Sequence, residues 1–125
     1  MTSIWEDVQS VIDGTMPPGA PAPYNANSAA LANSLVVKVD NAYLYGFHVH
    51  STKATAQYIM VFDAAAVPAD NAVTPLTFAI GANADLDELW MPPRFFQAGI
   101  VICNSTTDTL KTLGSADCWF DVNYV

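Results

Sequence analysis

Two histidines, His48 and His50, are the residues best suited by type and spacing to do chemistry. In an extended strand, residues two apart point to the same face, so both imidazoles could bind one metal ion. A working metal site needs at least a third ligand, and residues 51–57, which follow, contain no carboxylate. We therefore expect these histidines to lie at the surface or in an interface, without a metal or another cofactor.

The other groups that could do chemistry are carboxylates and thiols. Asp85 and Asp87 would share one face of a strand, and paired acids can divide the roles of proton donor and acceptor. Nothing beside them marks a sugar-cleaving site, so we expect a solvated acidic edge, with a calcium contact as the open alternative. Neither Cys103 nor Cys118 has a basic sequence neighbour that would lower its pKa. We expect two buried thiols without a disulfide, and no enzyme.

The composition favours a binding protein whose surface is partly covered by other molecules. Charged residues make up 13% of the 125 residues and hydrophobic residues 52%, whereas a typical soluble domain is about 25% charged. We therefore expect a homo-oligomer. The net charge of −8 repels phosphate backbones, so no nucleic acid is expected as a partner. No apolar run reaches the ~18 residues of a membrane span and no secretion signal is recognisable, so no membrane partner is expected.

Residues 1–34 are predicted to form an N-terminal arm. Ser3 and Glu6 have the spacing of a capping box and Gly14 can end a helix, so a short helix is expected over residues 4–13. A proline-rich tether follows at residues 16–23 and cannot continue the helix. Whether the arm binds its own domain or a neighbouring subunit stays open. The arm residues expected to bind a partner are Ile4, Trp5, Val8, Val11, Ile12, Pro17 and Pro18.

Residues 35–125 have the pattern of an all-β domain, an antiparallel β-sandwich of about eight strands. Short β-rich runs recur at roughly ten-residue spacing and are separated by turn signals such as Asp40-Asn41. Eight strands make a jelly-roll-like topology the leading one. The expected strands are residues 35–39, 43–50, 57–62, 76–80, 85–91, 99–103, 109–113 and 118–125.

The tryptophans could stack on sugars, although packing in a core or an interface accounts for them as well. Trp119 and Phe120 lie in a strand that is expected to face the core. Trp90 precedes Met91-Pro92-Pro93, at the mouth of a predicted loop. Trp90 is therefore the candidate for contact with a sugar or with a protein partner.

Five segments carry a pattern of strands and turns: 58–63 (YIMVFD), 67–70 (VPAD), 95–101 (FFQAGIV), 105–107 (STT) and 117–122 (DCWFDV). With them, residues 44–124, about two thirds of the chain, resemble small virion proteins of tailed bacteriophages, in particular capsid decoration (cement) proteins with a jelly-roll body. The resemblance implies a structural protein on the capsid surface, commonly a homotrimer. Such a protein binds and stabilises the lattice of the major capsid protein.

The resemblance predicts a virion protein that is made in the host cytoplasm and acts on the capsid surface. A carbohydrate-binding or receptor-binding appendage domain of a virion is the alternative within the binding class. A cupin-like metalloenzyme at His48 and His50 is the remote enzymatic alternative.

Overall fold

A computed structural model describes residues 23–125, which form eight β-strands and no α-helix. The all-β class expected from the sequence is confirmed for this part of the chain. The expected helix at residues 4–13, and all but the last residue of the tether at 16–23, lie outside the described residues. Within 23–125 there is no helix long and apolar enough to cross a membrane. The strands are β1 (Tyr24–Asn27), β2 (Ser34–Lys38), β3 (Ala42–Ser51), β4 (Gln57–Asp63), β5 (Leu76–Ile80), β6 (Asp85–Phe96), β7 (Ile100–Ser105) and β8 (Cys118–Tyr124).

The strands form a β-sandwich of two four-stranded antiparallel sheets. Sheet 1 has the order β1-β8-β3-β6 and sheet 2 the order β2-β7-β4-β5. From β1 to β4 the chain alternates between the sheets and then retraces its path, so that β5 pairs with β4, β6 with β3, β7 with β2 and β8 with β1. This nesting brings the two ends of the described chain together, with Tyr24 paired to Tyr124.

The inner faces of the two sheets enclose the main hydrophobic core. Along β8, Phe120 and Val122 are buried whereas Trp119 and Asp121 are exposed, the period-two pattern of a strand with one face against a core. β7 is instead buried at every position, because both of its faces are covered. Other members of the main core are Leu44, Phe47, Val49, Ile59, Val61, Ile80, Phe96, Ile100 and Ile102.

The outer face of sheet 2 carries a second, smaller apolar cluster. Four side chains of β4 and β7 point away from the main core and are buried: Met60, Phe62, Val101 and Cys103. Two long loops, residues 64–75 and 106–117, cover this cluster and pack Val67 and Leu113 against it. Sheet 2 is therefore covered on both faces, whereas sheet 1 keeps an open outer face.

A buried lysine joins the two covering loops. The Lys111 Nζ atom donates to Asp70 Oδ1 at 2.8 Å, and the backbone N–H of Leu113 donates to the same oxygen at 3.1 Å. The backbone groups of Lys111 also bond to those of Asn71 and Ala72. The Lys111 side chain is only 2% exposed, whereas that of Asp70 is 56% exposed. Because a buried ammonium group is costly without a partner, the Asp70 carboxylate stabilises the loops in this position.

Two segments differ from the sequence prediction. Residues 24–27 form β1, so residues 24–34 pack with the sandwich although the sequence pattern groups them with the arm. Asn25 and Asn27 face solvent and only the small Ala26 packs on the core between them, so the segment lacks the apolar alternation that marks a strand. The predicted strand at 109–113 is wrong. These residues lie in the loop over sheet 2, where the backbone groups of Lys111 bond to those of Asn71 and Ala72.

Both cysteines are buried free thiols, as expected. Cys118 belongs to the main core and Cys103 to the cluster on the outer face of sheet 2, so the two side chains lie on opposite sides of that sheet. Burial raises the pKa of the Cys103 thiol to about 11 and that of the Cys118 thiol to about 12. Both are therefore protonated near neutral pH, when a thiol is a weak nucleophile.

We expect Asp70→Ala to lower the thermal unfolding midpoint, because it leaves the buried Lys111 ammonium group without a carboxylate. Adding Lys111→Met should recover most of the loss, because the buried charge is then gone. Scanning calorimetry of the wild type and both variants measures this effect. A double variant less stable than Asp70→Ala would contradict the charge argument.

The same carboxylate makes this stabilisation depend on pH. Hydrogen bonds from Lys111 and from the Leu113 amide hold the pKa of Asp70 below its ordinary value. The contribution of Asp70 is therefore present above a pH of about 4 and is lost as the pH falls through its lower folded-state pKa. The difference in thermal unfolding midpoint between the wild type and Asp70→Ala, measured by scanning calorimetry at a series of pH values, should become smaller over that acidic range.

Candidate functional site

The outer face of sheet 1 is the open surface on which the candidate chemical residues meet. β3 lies between β8 and β6, so its outward side chains have neighbours on both sides. Strand pairing produces two rows of residues across the sheet: Asp121, His48 and Asp87 form one, and Trp119, His50 and Asp85 form the next. The spacing of two between His48 and His50 does place both imidazoles on one face.

Each histidine is paired with a carboxylate of β6. His48 Nδ1 lies 2.5 Å from Asp87 Oδ1, and His50 Nδ1 lies 2.6 Å from Asp85 Oδ1. The His48 Nε2 atom is 3.6 Å from Asp85 Oδ1. All four side chains are substantially exposed, so water screens the pairs and each contributes little to stability. Their main effect is to hold the two imidazole rings in fixed orientations.

The sheet supplies the histidines with carboxylates that are 35 and 39 residues away in sequence. Even so, no group of three or more His, Cys, Asp or Glu side chains among residues 23–125 is arranged to hold a metal ion. Asp85 and Asp87 occupy the Nδ1 side of the rings as hydrogen-bond partners. The arrangement is therefore suited to binding polar groups of a ligand by hydrogen bonds.

Asparagine side chains extend this polar surface toward β1. Asn25 Nδ2 donates to Asp121 Oδ1 at 2.5 Å and to Asn123 Oδ1 at 3.1 Å, and Asn27 Nδ2 donates to Asn25 Oδ1 at 3.2 Å. These bonds fix the amide groups and the carboxylate in place. Sequence reasoning missed them because β1 was not recognised as a strand. The spacing of two between Asn25 and Asn27 is the one local signal that could have found them.

The structure assigns the two tryptophans differently from the sequence prediction. The strand that contains Trp119 and Phe120 faces the core, as expected, but it does so through Phe120, and Trp119 is 44% exposed on the outer face of sheet 1. Trp90, the sequence candidate for ligand contact, is half-buried. Its ring centroid lies 6.0 Å from that of Phe47 and 6.4 Å from that of Phe78. Trp119 is therefore the more accessible of these two tryptophans.

A shallow hollow in the same face is made by Gly46. A Cβ atom at this position would overlap the carbonyl oxygen of Glu88, so the close approach of β6 to β3 requires glycine. The residues that line the hollow include Gly46, His48, Asp87, Leu89, Asp121 and Asn123.

Four exposed apolar side chains follow β6 and the paired end of β3. We call them the β6 stripe: Tyr43, Leu89, Met91 and Phe95. Leu89 and Met91 are 76% and 75% exposed, and the rings of Tyr43 and Phe95 are in contact with centroids 5.2 Å apart. β6 is an edge strand that contains Pro92 and Pro93, which cannot donate to an added strand. A partner at this part of the edge would therefore contact side chains.

The sequence-predicted binding residues of the arm precede the described residues: Ile4, Trp5, Val8, Val11, Ile12, Pro17 and Pro18. Comparisons of the chain with protein-family models, with curated proteins and with solved structures find no match.

We expect His48→Ala and His50→Ala each to change the free energy of unfolding by less than about 1 kcal/mol, because exposed ion pairs contribute little. Urea denaturation monitored by tryptophan fluorescence measures this. Addition of zinc ions should leave the urea concentration at the unfolding midpoint of the wild type unchanged. A zinc-dependent rise in the midpoint that both variants lose would contradict the prediction and indicate a metal site.

Proposed function

We propose that this protein is a non-enzymatic structural protein of a virion, a capsid decoration (cement) protein that binds copies of itself and the lattice of the major capsid protein. The observation that carries the proposal is the β6 stripe, whose apolar side chains are exposed on a chain with only 13% charged residues. Apolar surface of this kind is stabilised when another protein covers it. The proposed place of action is the capsid surface, after synthesis in the host cytoplasm.

We infer that the sandwich is a jelly roll. The nested pairing of β1 with β8, β2 with β7, β3 with β6 and β4 with β5 supports this topology. A jelly-roll body is also what the resemblance to capsid decoration proteins implies. The fold alone does not identify the function, so the proposal depends on the exposed surface as well.

The β6 stripe is assigned to contact between copies in a homotrimer. In a closed ring, the stripe of one copy faces a different surface of the next, and each stripe is covered once. Burying apolar area contributes roughly 25 cal/mol per Å², and the four side chains of the stripe are themselves uncharged. The loops over sheet 2 already cover the other broad face of the sandwich.

The arm is assigned to the same assembly, where it binds either a neighbouring copy or the coat lattice. Tyr24, at the start of β1, pairs with Tyr124, which in turn pairs with Leu44, and Leu44 pairs with Arg94. The arm therefore joins the sandwich at the end of sheet 1 that also carries Tyr43 and Phe95. Extended at ~3.1 Å per residue, residues 16–23 would span about 20 Å, which is enough to reach a neighbouring molecule from there.

We expect Phe95→Asp to weaken self-association and capsid binding by about tenfold or more, because a carboxylate must lose its water in the contact. Sedimentation velocity measures self-association, and co-sedimentation with undecorated capsids of the cognate phage measures capsid binding. The matched control is Val73→Asp, at a 66% exposed apolar position in the loop over sheet 2. Equal mass and equal capsid binding for Phe95→Asp, Val73→Asp and wild type would contradict the assignment of the stripe.

Removal of residues 1–23 should weaken oligomer formation or capsid attachment, because the apolar positions of the arm are lost. The β-sheet circular dichroism signal should persist, since the eight strands begin at Tyr24. Val8→Asp in the full chain tests the same contact without truncation. If both proteins assembled and bound capsids like the wild type, the arm would have no part in the function.

A further inference from the structure

Trp119 is the more exposed of the two tryptophans in the described residues. It lies on β8, an inner strand of sheet 1 with β1 and β3 on either side, yet its indole is 44% exposed. The core beneath it is filled by Phe120, so Trp119 is not needed to close the sandwich. A large flat apolar group left open in the middle of a sheet is suited to stacking against a flat apolar face of a ligand.

Polar side chains surround this indole on three strands. The shallow depression beside it is lined by Asn25, Asn27, Ala29, His48, Trp119 and Asp121, together with Phe120. His50 is the directly paired neighbour of Trp119 on β3. The depression therefore combines one aromatic surface with amide, carboxylate and imidazole groups that can donate and accept hydrogen bonds.

These polar groups are held in place by one another. Asp121 accepts from Asn25, Asn25 accepts from Asn27, and the rings of His48 and His50 are held by Asp87 and Asp85. All of them project from β-strands, which position side chains more accurately than loops do. A ligand that binds here would not have to order the site, which lowers the entropic cost of binding.

The charge of the face restricts the class of ligand. Asp85, Asp87 and Asp121 are all exposed on it, whereas the four basic residues of the chain are Lys38, Lys53, Arg94 and Lys111, none of which lines the depression. Phosphates, sulfates and uronic acids would be repelled. A sugar ring without charge has the required features, since one face presents C–H groups for stacking and its edge presents hydroxyls that donate and accept hydrogen bonds.

We propose that the outer face of sheet 1 is a binding site for a neutral carbohydrate, which stacks on Trp119 and is hydrogen-bonded by Asn27, His48 and Asp121. The site is open and shallow, so it accepts the side of a longer glycan chain as well as a short oligosaccharide. This activity is separate from the proposed cement function, because Trp119 and its neighbours are not part of the β6 stripe or of residues 1–23, which the arm truncation removes.

The test is a glycan array of neutral and acidic oligosaccharides probed with the full-length protein, followed by calorimetry with the oligosaccharides that bind. We expect binding to one or more neutral glycans and none to uronic-acid or sulfated ones. Trp119→Ala should weaken that binding about tenfold or more, and Trp119→Phe should weaken it less because part of the stacking surface remains. Val73→Ala, on the loop over sheet 2, is the matched control and should bind like the wild type.

Tryptophan fluorescence distinguishes direct stacking from an indirect effect. Addition of the glycan that binds should shift the emission of the wild type, and the shift should be absent in Trp119→Ala although Trp5 and Trp90 remain. No binding to any neutral glycan, equal binding by Trp119→Ala, or a preference for acidic glycans would each overturn the proposal. These outcomes leave the cement function untouched, since that is read from oligomer mass and capsid binding.

Discussion

The burial of one side of each sheet between the two sheets is the constraint on which the rest of the structure depends. Side chains alternate along a strand, so placing Phe120 and Val122 in the core forces Trp119 and Asp121 outward. Phe47 and Val49 set the directions of the histidines on β3 in the same way. Burying a Phe or Val side chain contributes about 1.5–3 kcal/mol, whereas an exposed ion pair contributes at most about 1 kcal/mol. The core therefore decides the register, and the His–Asp pairs follow from it.

The two outer faces of the sandwich differ in whether loops cover them. Sheet 2 carries apolar side chains outward, and these require the two loops that cover them. The loops are joined by Lys111 and Asp70, an interaction that holds a buried charge only because a carboxylate reaches it from the surface. Sheet 1 carries polar side chains in the centre of its outer face, and no loop of the described residues covers them. The side chains on the outer face of sheet 1 are therefore directly accessible from solvent, whereas those of sheet 2 lie under loops.

Sheet 1 itself presents two kinds of surface. The polar rows around His48 and His50 lie in its centre, and the β6 stripe lies along its free edge. The prolines in β6 oppose the addition of another strand at that edge, which leaves contact through side chains as the way to cover the stripe. A polar centre suits a small hydrated ligand, whereas an apolar edge suits a protein, so one face can serve two different interactions.

The amino-acid sequence by itself determined the all-β class, the strand at 76–80 and, within one residue, the strand at 57–62, because alternation and turn residues are local properties. It also placed His48 and His50 on one face. It did not reveal β1, whose outward asparagines hide the pattern, and it suggested a strand at 109–113, where the backbone bonds to another loop. It left the orientation of Trp119 and Phe120 ambiguous, since both are apolar. Only the tertiary structure decided which residue faces the core and which carboxylates meet the histidines, because register between distant strands is set by packing of the whole core.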